Sequence, residues 1–146
     1  MYTNEILLAE DDATDAEFFR RALSKLDTPP TLTWCRNGLE ALEGLRQREA
    51  NEQFPRLAIL DIKMPGMNGL ELLAKIKSND CTKDLPVIIM SSSDEPQDIS
   101  RAYDCGANGY LVKPNRFQDL RELVGSIACF WIKTNRLRPT IRPATN

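Results

Sequence analysis

The chain has 146 residues, enough for one domain with a core that needs no staples. Hydrophobic residues make up 42% and charged residues 27%, a globular balance, and no apolar run approaches the length that spans a bilayer. Histidine is absent and no C-x-x-C pair occurs, which excludes Ser-His-Asp hydrolysis, histidine phosphocarriers, H-E-x-x-H metalloproteases and ordinary zinc sites.

The N-terminus, Met1–Glu5, lacks the basic start of a signal peptide, and a cytoplasmic protein is expected. Cys35, Cys81, Cys105 and Cys129 are expected to be reduced packing residues. The formal net charge is −2, but residues 133–146 carry Lys133, Arg136, Arg138 and Arg142 and no acid. Residues 1–132 therefore hold 15 basic and all 21 acidic residues, a net of −6. An acidic body argues against nucleic acid as a partner, and the basic tail is expected to be a solvated end.

Five short apolar runs follow one another: Ile6–Ala9, Leu32–Cys35, Leu57–Leu60, Val87–Met90 and Gly109–Val112. Four are nearly continuous, as in parallel strands covered on both faces, whereas Leu32–Cys35 alternates and suits an edge. Helical patterns separate them. Thr14-x-x-Glu17 reads as a capping box, with Phe19, Ala22, Leu23 and Leu26 at helical spacing behind it. Asn37 and Asn68, each with Glu three residues on, are predicted caps of the second and third helices. The fourth helix is predicted to start near Pro96 and stop at Gly106. The fifth carries Phe117, Leu120, Val124, Ile127, Ala128 and Trp131 along one stripe. Leu123 and Phe130 fall outside that stripe, and Phe130-Trp131-Ile132 is expected to overrun the sheet. Five β-α units predict a doubly wound parallel sheet with right-handed crossovers. The domain is expected to span 1–132, with a tail over 133–146 and no effector domain.

Doubly wound sheets carry their functional groups in the loops at the carboxyl ends of the strands. Here those loops hold Glu10-Asp11-Asp12, Asp61, Ser91-Ser92-Ser93 and Lys113-Pro114. Carboxylates gathered in one cleft resist joint ionisation unless a hard divalent cation relieves them, and oxygen donors alone favour magnesium. One carboxylate can then attack a phosphoryl group, while the metal, a lysine and a hydroxyl bind its oxygens. Taken singly, each residue has a plainer reading. Asp11 or Asp12 can cap the first helix, Asp61 can sit in a turn before Pro65-Gly66, and Lys113 and Ser91 to Ser93 can be solvated loop residues. All of them together, each at the end of a different strand, favour a single phosphoryl site.

The segments Leu7–Asp12, Leu60–Gly69, Pro86–Ser91 and Gly106–Pro114 resemble the receiver domains of two-component response regulators. The resemblance covers roughly residues 4–132. It implies a flavodoxin-like (βα)5 fold of sheet order 2-1-3-4-5, phosphorylated on Asp61 by a sensor histidine kinase and requiring magnesium. It implies that Asp11 and Asp12 form the metal-binding acidic pair, with Asp12 the direct ligand, and that Asp61 and the backbone carbonyl of Lys63 complete the site. Ser91 falls at the switch hydroxyl, Tyr110 at the switch aromatic, and Lys113 at the phosphate-contacting lysine. It also implies a cis Lys113–Pro114 bond. Lys63 and Ser93 occupy the two positions that face the attacking water in the family, where they depart from the commonest pattern. Gln47–Gln53 and Phe130–Thr134 look like the stand-alone regulators of bacterial phytochrome kinases.

Such a protein signals by contact rather than turnover, and a homodimer through the fourth helix, fifth strand and fifth helix is expected. Three other readings compete. A phosphatase of the haloacid-dehalogenase kind needs a carboxylate where Lys63 stands. A flavodoxin relative needs a Ser/Thr/Gly-rich loop where Glu10-Asp11-Asp12 stands. An unphosphorylated adaptor would have no use for the complete acidic set.

Overall fold

A computed structural model describes residues 1–139. Its elements are β1 (Tyr2–Ala9), α1 (Ala13–Ser24), β2 (Thr31–Cys35), α2 (Gly38–Glu49), β3 (Phe54–Leu60), α3 (Gly69–Ser78), β4 (Val87–Ser91), α4 (Pro96–Asp104), β5 (Gly109–Val112) and α5 (Phe117–Ile127). A π-helical segment, Ala128–Thr134, continues α5. The strands form one parallel sheet in the order β2-β1-β3-β4-β5. The alternating run β2 lies at one edge, as expected, and the buried runs β1, β3 and β4 fill the centre.

The period-2 geometry of a strand sends successive side chains to opposite faces, which produces two cores. Leu7, Ala9, Ala58, Leu60, Val87 and Ile89 point to one face and meet Leu42 and Leu45 of α2, Leu72, Leu73 and Ile76 of α3, and Ala102 of α4. Ile6, Leu8, Leu57, Ile59, Ile88 and Met90 point to the other and meet Phe19, Ala22 and Leu23 of α1 with Val124 and Ile127 of α5. Each fully buried Leu or Ile contributes about 1.5–3 kcal/mol, so the central strands are the most firmly held part of the molecule.

Local chemistry sets the helix ends. Asn37 Oδ1 accepts from the Glu40 backbone N–H at 2.8 Å and Asn68 Oδ1 from that of Glu71 at 2.9 Å, as predicted. The first helix departs from expectation. It begins at Ala13, capped by Asp12, and Glu17 turns outward to pair with Arg20 and Arg21. A single side-chain oxygen at the strand exit intercepts the first free N–H groups before Thr14 can do so. Pro96 opens α4, and Gly106, at φ 104°, ends it in a backbone region favoured by glycine.

The end of the fifth helix also departs from expectation. The Asn135 N–H donates to the Phe130 carbonyl, and this wider π turn rotates the helix face. Trp131 and Ile132 fold back onto the α1/α5 core instead of overrunning the sheet. Phe130 alone stays out, half exposed and edge-on to Trp131. The described tail passes Met1 and Tyr2, with Arg138 Nε 3.8 Å from Asp84. Arg142 lies outside the described residues. Cys35 is buried and Cys105 packs against the core, but Cys81 and Cys129 are exposed and lie outside both cores. The Lys113–Pro114 bond is trans, since the described residues hold no cis peptide. Among the described residues, no helix is long and apolar enough to cross a membrane.

Candidate functional site

Backbone ladders carry the rigidity of the sheet one residue past the strand ends. The Glu10 N–H donates to the Cys35 carbonyl at 3.0 Å, the Asp61 N–H to the Ala9 carbonyl at 3.0 Å, and the Lys113 N–H to the Ser91 carbonyl at 2.8 Å. Three polar residues are thereby fixed at one edge of the sheet. The β3–α3 loop is anchored by Gly69, whose N–H donates to the Ile62 carbonyl at 2.9 Å. A Cβ at Gly69 would lie 2.0 Å from the Asp61 carbonyl oxygen, so this close approach admits only glycine.

Glu10, Asp11 and Asp61 bring one carboxylate oxygen each within 4.8 Å of one another. Glu10 and Asp61 are buried, at 2% and 8% exposure, while Asp11 faces solvent. The Lys113 ammonium sits among the acids. It donates to Glu10 Oε2 at 2.7 Å, Asp15 Oδ2 at 3.0 Å and Asp61 Oδ2 at 3.1 Å. Burial pushes the Glu10 carboxyl up to about 7; the Lys113 hydrogen bond opposes this and the Asp61 charge adds to it. Burial works against the Lys113 charge, but its bonds to Glu10 and Asp15 and the Asp61 charge outweigh that and push its pKa up.

The carboxylates that converge with Asp61 are those of Glu10 and Asp11, whereas the pair expected there was Asp11–Asp12. Asp12 is exposed, and its Oδ1 accepts from the Asp15 backbone N–H at 2.9 Å. That oxygen is committed to the end of α1, which is the plainer of its two readings. Glu10 was legible as the first polar residue after the β1 apolar run. Its carbonyl also takes the Trp34 Nε1–H at 2.8 Å, and the Arg36 guanidinium lies 5.3 Å above that indole. Asp15 was missed, because nothing in the sequence marks a first-turn acid as the partner of a lysine 98 positions away.

Ser91 is buried, and its Oγ accepts from the Ser93 N–H at 3.2 Å. Ser93 Oγ in turn donates to Asp98 Oδ2 at 2.6 Å, and the Tyr110 hydroxyl donates to the Ser93 carbonyl at 2.8 Å. Ser91, Ser93, Asp98 and Tyr110 thus form one chain of hydrogen bonds through the β4–α4 loop. Lys63 is exposed in the β3–α3 loop, two residues beyond Asp61.

This donor set suits a hard cation. It offers three carboxylates and no imidazole or thiolate, and a single ammonium cannot balance all the charge. Glu10, Asp11 and Asp61 are the groups that would hold such an ion. The Asp61 oxygens, at the rim of that cluster and beside a cation, are placed as a nucleophile would be.

Residues 6–125 match the model of the response regulator receiver domain. The chain belongs to that family. The receiver fold accounts for the sheet order and for the strand-end cluster together. The chain is similar to the response regulator Rcp1 of Synechocystis sp., with 34% identity over 131 residues, 88% of this chain and 89% of Rcp1. It is 36% identical over 132 residues to a probable methanogenesis regulatory protein, FilR2, of Methanothrix harundinacea, covering 90% of this chain and 85% of that one. Among solved structures, the phosphorylated cyanobacterial phytochrome response regulator RcpA superposes with a TM-score of 0.86 at 34% identity, covering 94% and 99% of the two chains. The Mn(2+)-bound form of Rcp1 superposes with a TM-score of 0.82 at 33% identity, covering 93% and 99%. These likenesses place this receiver domain in two-component signalling, and its acidic cluster fits the divalent-metal binding of such domains.

The different placements of Asp11 and Asp12 separate two substitutions. Asp11→Asn should weaken manganese or magnesium binding at least tenfold by roughly the cost of one charged ligand. Asp12→Ala should leave that affinity close to wild type and lower unfolding stability by about 1 kcal/mol through the lost cap. Calorimetric titration and urea unfolding read the two effects. A second expectation concerns pH. Glu10 has a folded pKa raised from 4.5 to about 7, so its contribution to stability is full below about 4.5 and is lost as pH rises through about 7. In chelator-treated protein, the stability of wild type relative to Glu10→Gln should therefore fall between pH 5 and pH 8, a window set by that shift to about 7 and readable by urea unfolding.

Proposed function

We propose that this receiver domain is a phosphorylation switch. Asp61 takes a phosphoryl group from the phosphohistidine of a sensor kinase. The observation that carries the reading is the Lys113 ammonium, held 3.1 Å from Asp61 Oδ2 inside a buried acidic cluster. Magnesium bound by Glu10, Asp11 and Asp61, with the Lys63 carbonyl as a further ligand, would neutralise charge on the transferring phosphoryl oxygens. An Asp61 oxygen attacks phosphorus, the P–N bond to the donor histidine breaks, and the electron pair stays on that nitrogen. Lys113 exchanges the carboxylate oxygen for a phosphoryl oxygen as the negative charge moves outward. The Ser91 hydroxyl, buried at the end of the neighbouring strand β4, then turns toward the phosphoryl group. It lets go of the Ser93 N–H and loosens the carbonyl that holds Tyr110. The likeness to phytochrome response regulators supports a kinase of phytochrome type and a cytoplasmic setting. The domain hydrolyses its own acyl phosphate and turns over no other substrate.

The phosphoacceptor is tested by intact mass. With a small acyl phosphate and magnesium, wild type should gain one phosphoryl adduct and Asp61→Asn none. An adduct on the Asn variant would refute the assignment.

Output is proposed to run through the face formed by α4, β5 and α5, where a second copy docks. Tyr103, Val112 and Phe130 are exposed on these elements and their continuation. Phe130→Glu should abolish self-association in sedimentation runs at tens of micromolar, roughly the range in which weak interfaces show. A wild type monomeric both with and without phosphoryl would refute the homodimer.

A further inference from the structure

We propose that Asp15 is a positioning residue for phosphoryl transfer, acting through Lys113. The inference rests on the phosphoacceptor reading of Asp61. A lysine side chain is a point charge on a flexible four-carbon stem, with three equivalent hydrogens and no planar fork to aim them. Here all three have a partner: Glu10 Oε2 at 2.7 Å, Asp15 Oδ2 at 3.0 Å and Asp61 Oδ2 at 3.1 Å. Neither Glu10 nor Asp15 accepts the phosphoryl group, and of the two only Glu10 stands among the proposed metal ligands. Glu10 holds the ammonium from β1 and Asp15 holds it from the first turn of α1. With two hydrogens engaged, the third is directed at Asp61, where the phosphoryl oxygen arrives.

Asp15 is well placed for this task. Its own position is fixed by its backbone N–H, which donates to Asp12 Oδ1, so its carboxylate projects from a capped helix end. It lies outside the group of acids whose oxygens converge, namely Glu10, Asp11 and Asp61. Its removal therefore deletes no metal ligand. The small cavity behind it, of about 50 Å³, is lined by Leu8, Phe19, Met90 and Leu120, and the only carboxylates on its wall are those of Glu10 and Asp15. Without Asp15 the lysine head keeps one tether and gains freedom about it. Preorganised donors lose their advantage when they must be ordered during the reaction.

The test follows the rate of acyl-phosphate formation on the full chain, at saturating magnesium, by intact mass. Asp15→Ala should slow it about three- to tenfold, a charge-assisted hydrogen bond discounted for the partial exposure of Asp15. Manganese affinity should change less than twofold, a split that general damage to the site would not give. Asp15→Asn, which keeps an acceptor oxygen, should recover part of the rate. In a Lys113→Ala background, Asp15→Ala should have no further effect. An unchanged rate for Asp15→Ala in a phosphorylatable protein, or an equal loss in the Lys113→Ala background, would overturn the positioning role while leaving Asp61 as acceptor. No adduct on the wild-type chain would overturn both.

Discussion

The end of the sheet is organised around one ammonium group. Glu10 and Asp61 are carboxylates buried beside each other, an arrangement that water-starved anions do not adopt unaided. Lys113 makes it tenable. Opposite charges about 3 Å apart attract by roughly 5 kcal/mol at an effective dielectric near 20, and much of that offsets the desolvation of both partners. The surplus acid is what matters chemically. One cation facing Glu10, Asp15 and Asp61, with Asp11 alongside, leaves an excess of negative charge at the rim. That excess is a standing demand for a second, more highly charged cation, which oxygen donors alone would fill with a hard metal ion.

The fold supplies the rest by extending ordinary backbone pairing past the ends of the strands. Glu10, Asp61 and Lys113 each donate a backbone N–H to the neighbouring strand, so none of the three sits on a free loop. Their positions are inherited from the central strands, whose C-terminal halves are buried on both faces. Gly69 permits an approach that a Cβ would block, letting the start of α3 touch the Asp61 carbonyl. Rigid placement of a few polar groups on a buried scaffold is how such a site keeps its geometry when charge moves through it.

Most of this architecture was legible because it depends on patterns of short range. The continuous apolar runs marked β1, β3 and β4 as buried strands, but the equally continuous run Gly109–Val112 forms the half-buried edge strand β5, because no further strand pairs with it. The alternation in Leu32–Cys35 put that strand at the other edge, and Asn37, Asn68, Pro96 and Gly106 marked helix ends through their own backbone chemistry. The departures have separate causes. Asp11, Asp12 and Thr14 compete for the same few N–H groups at the start of α1, and sequence spacing alone does not say which wins. Asp12 takes the cap, and the acids left to converge with Asp61 are Glu10 and Asp11. The π turn after Ile127 is likewise invisible to a 3.6-residue period, so Trp131 and Ile132 seemed to overrun a sheet that they in fact cover. Asp15 was out of reach for another reason. Its partner is 98 positions away, and only the folded chain brings them to 3.0 Å.

The chemistry and the exposed face are joined by a short path. Ser91 lies at the end of β4, one strand from Asp61, and it accepts from Ser93 while Ser93 accepts from Tyr110. Ser93 also grips Asp98 in the first turn of α4. A hydroxyl drawn away from this chain at one end therefore loosens a loop carbonyl, an aromatic anchor on β5 and a helix terminus at the other. A small residue at position 93 is essential to that arrangement. Only a side chain with a hydroxyl one bond from Cβ can donate to Asp98 and still accept from the Glu95 N–H at 3.2 Å, while its backbone serves Ser91 and Tyr110. The departure from the commonest family pattern at Ser93 is thus tied to the β4–α4 loop and to its hydrogen bonds with α4 and β5.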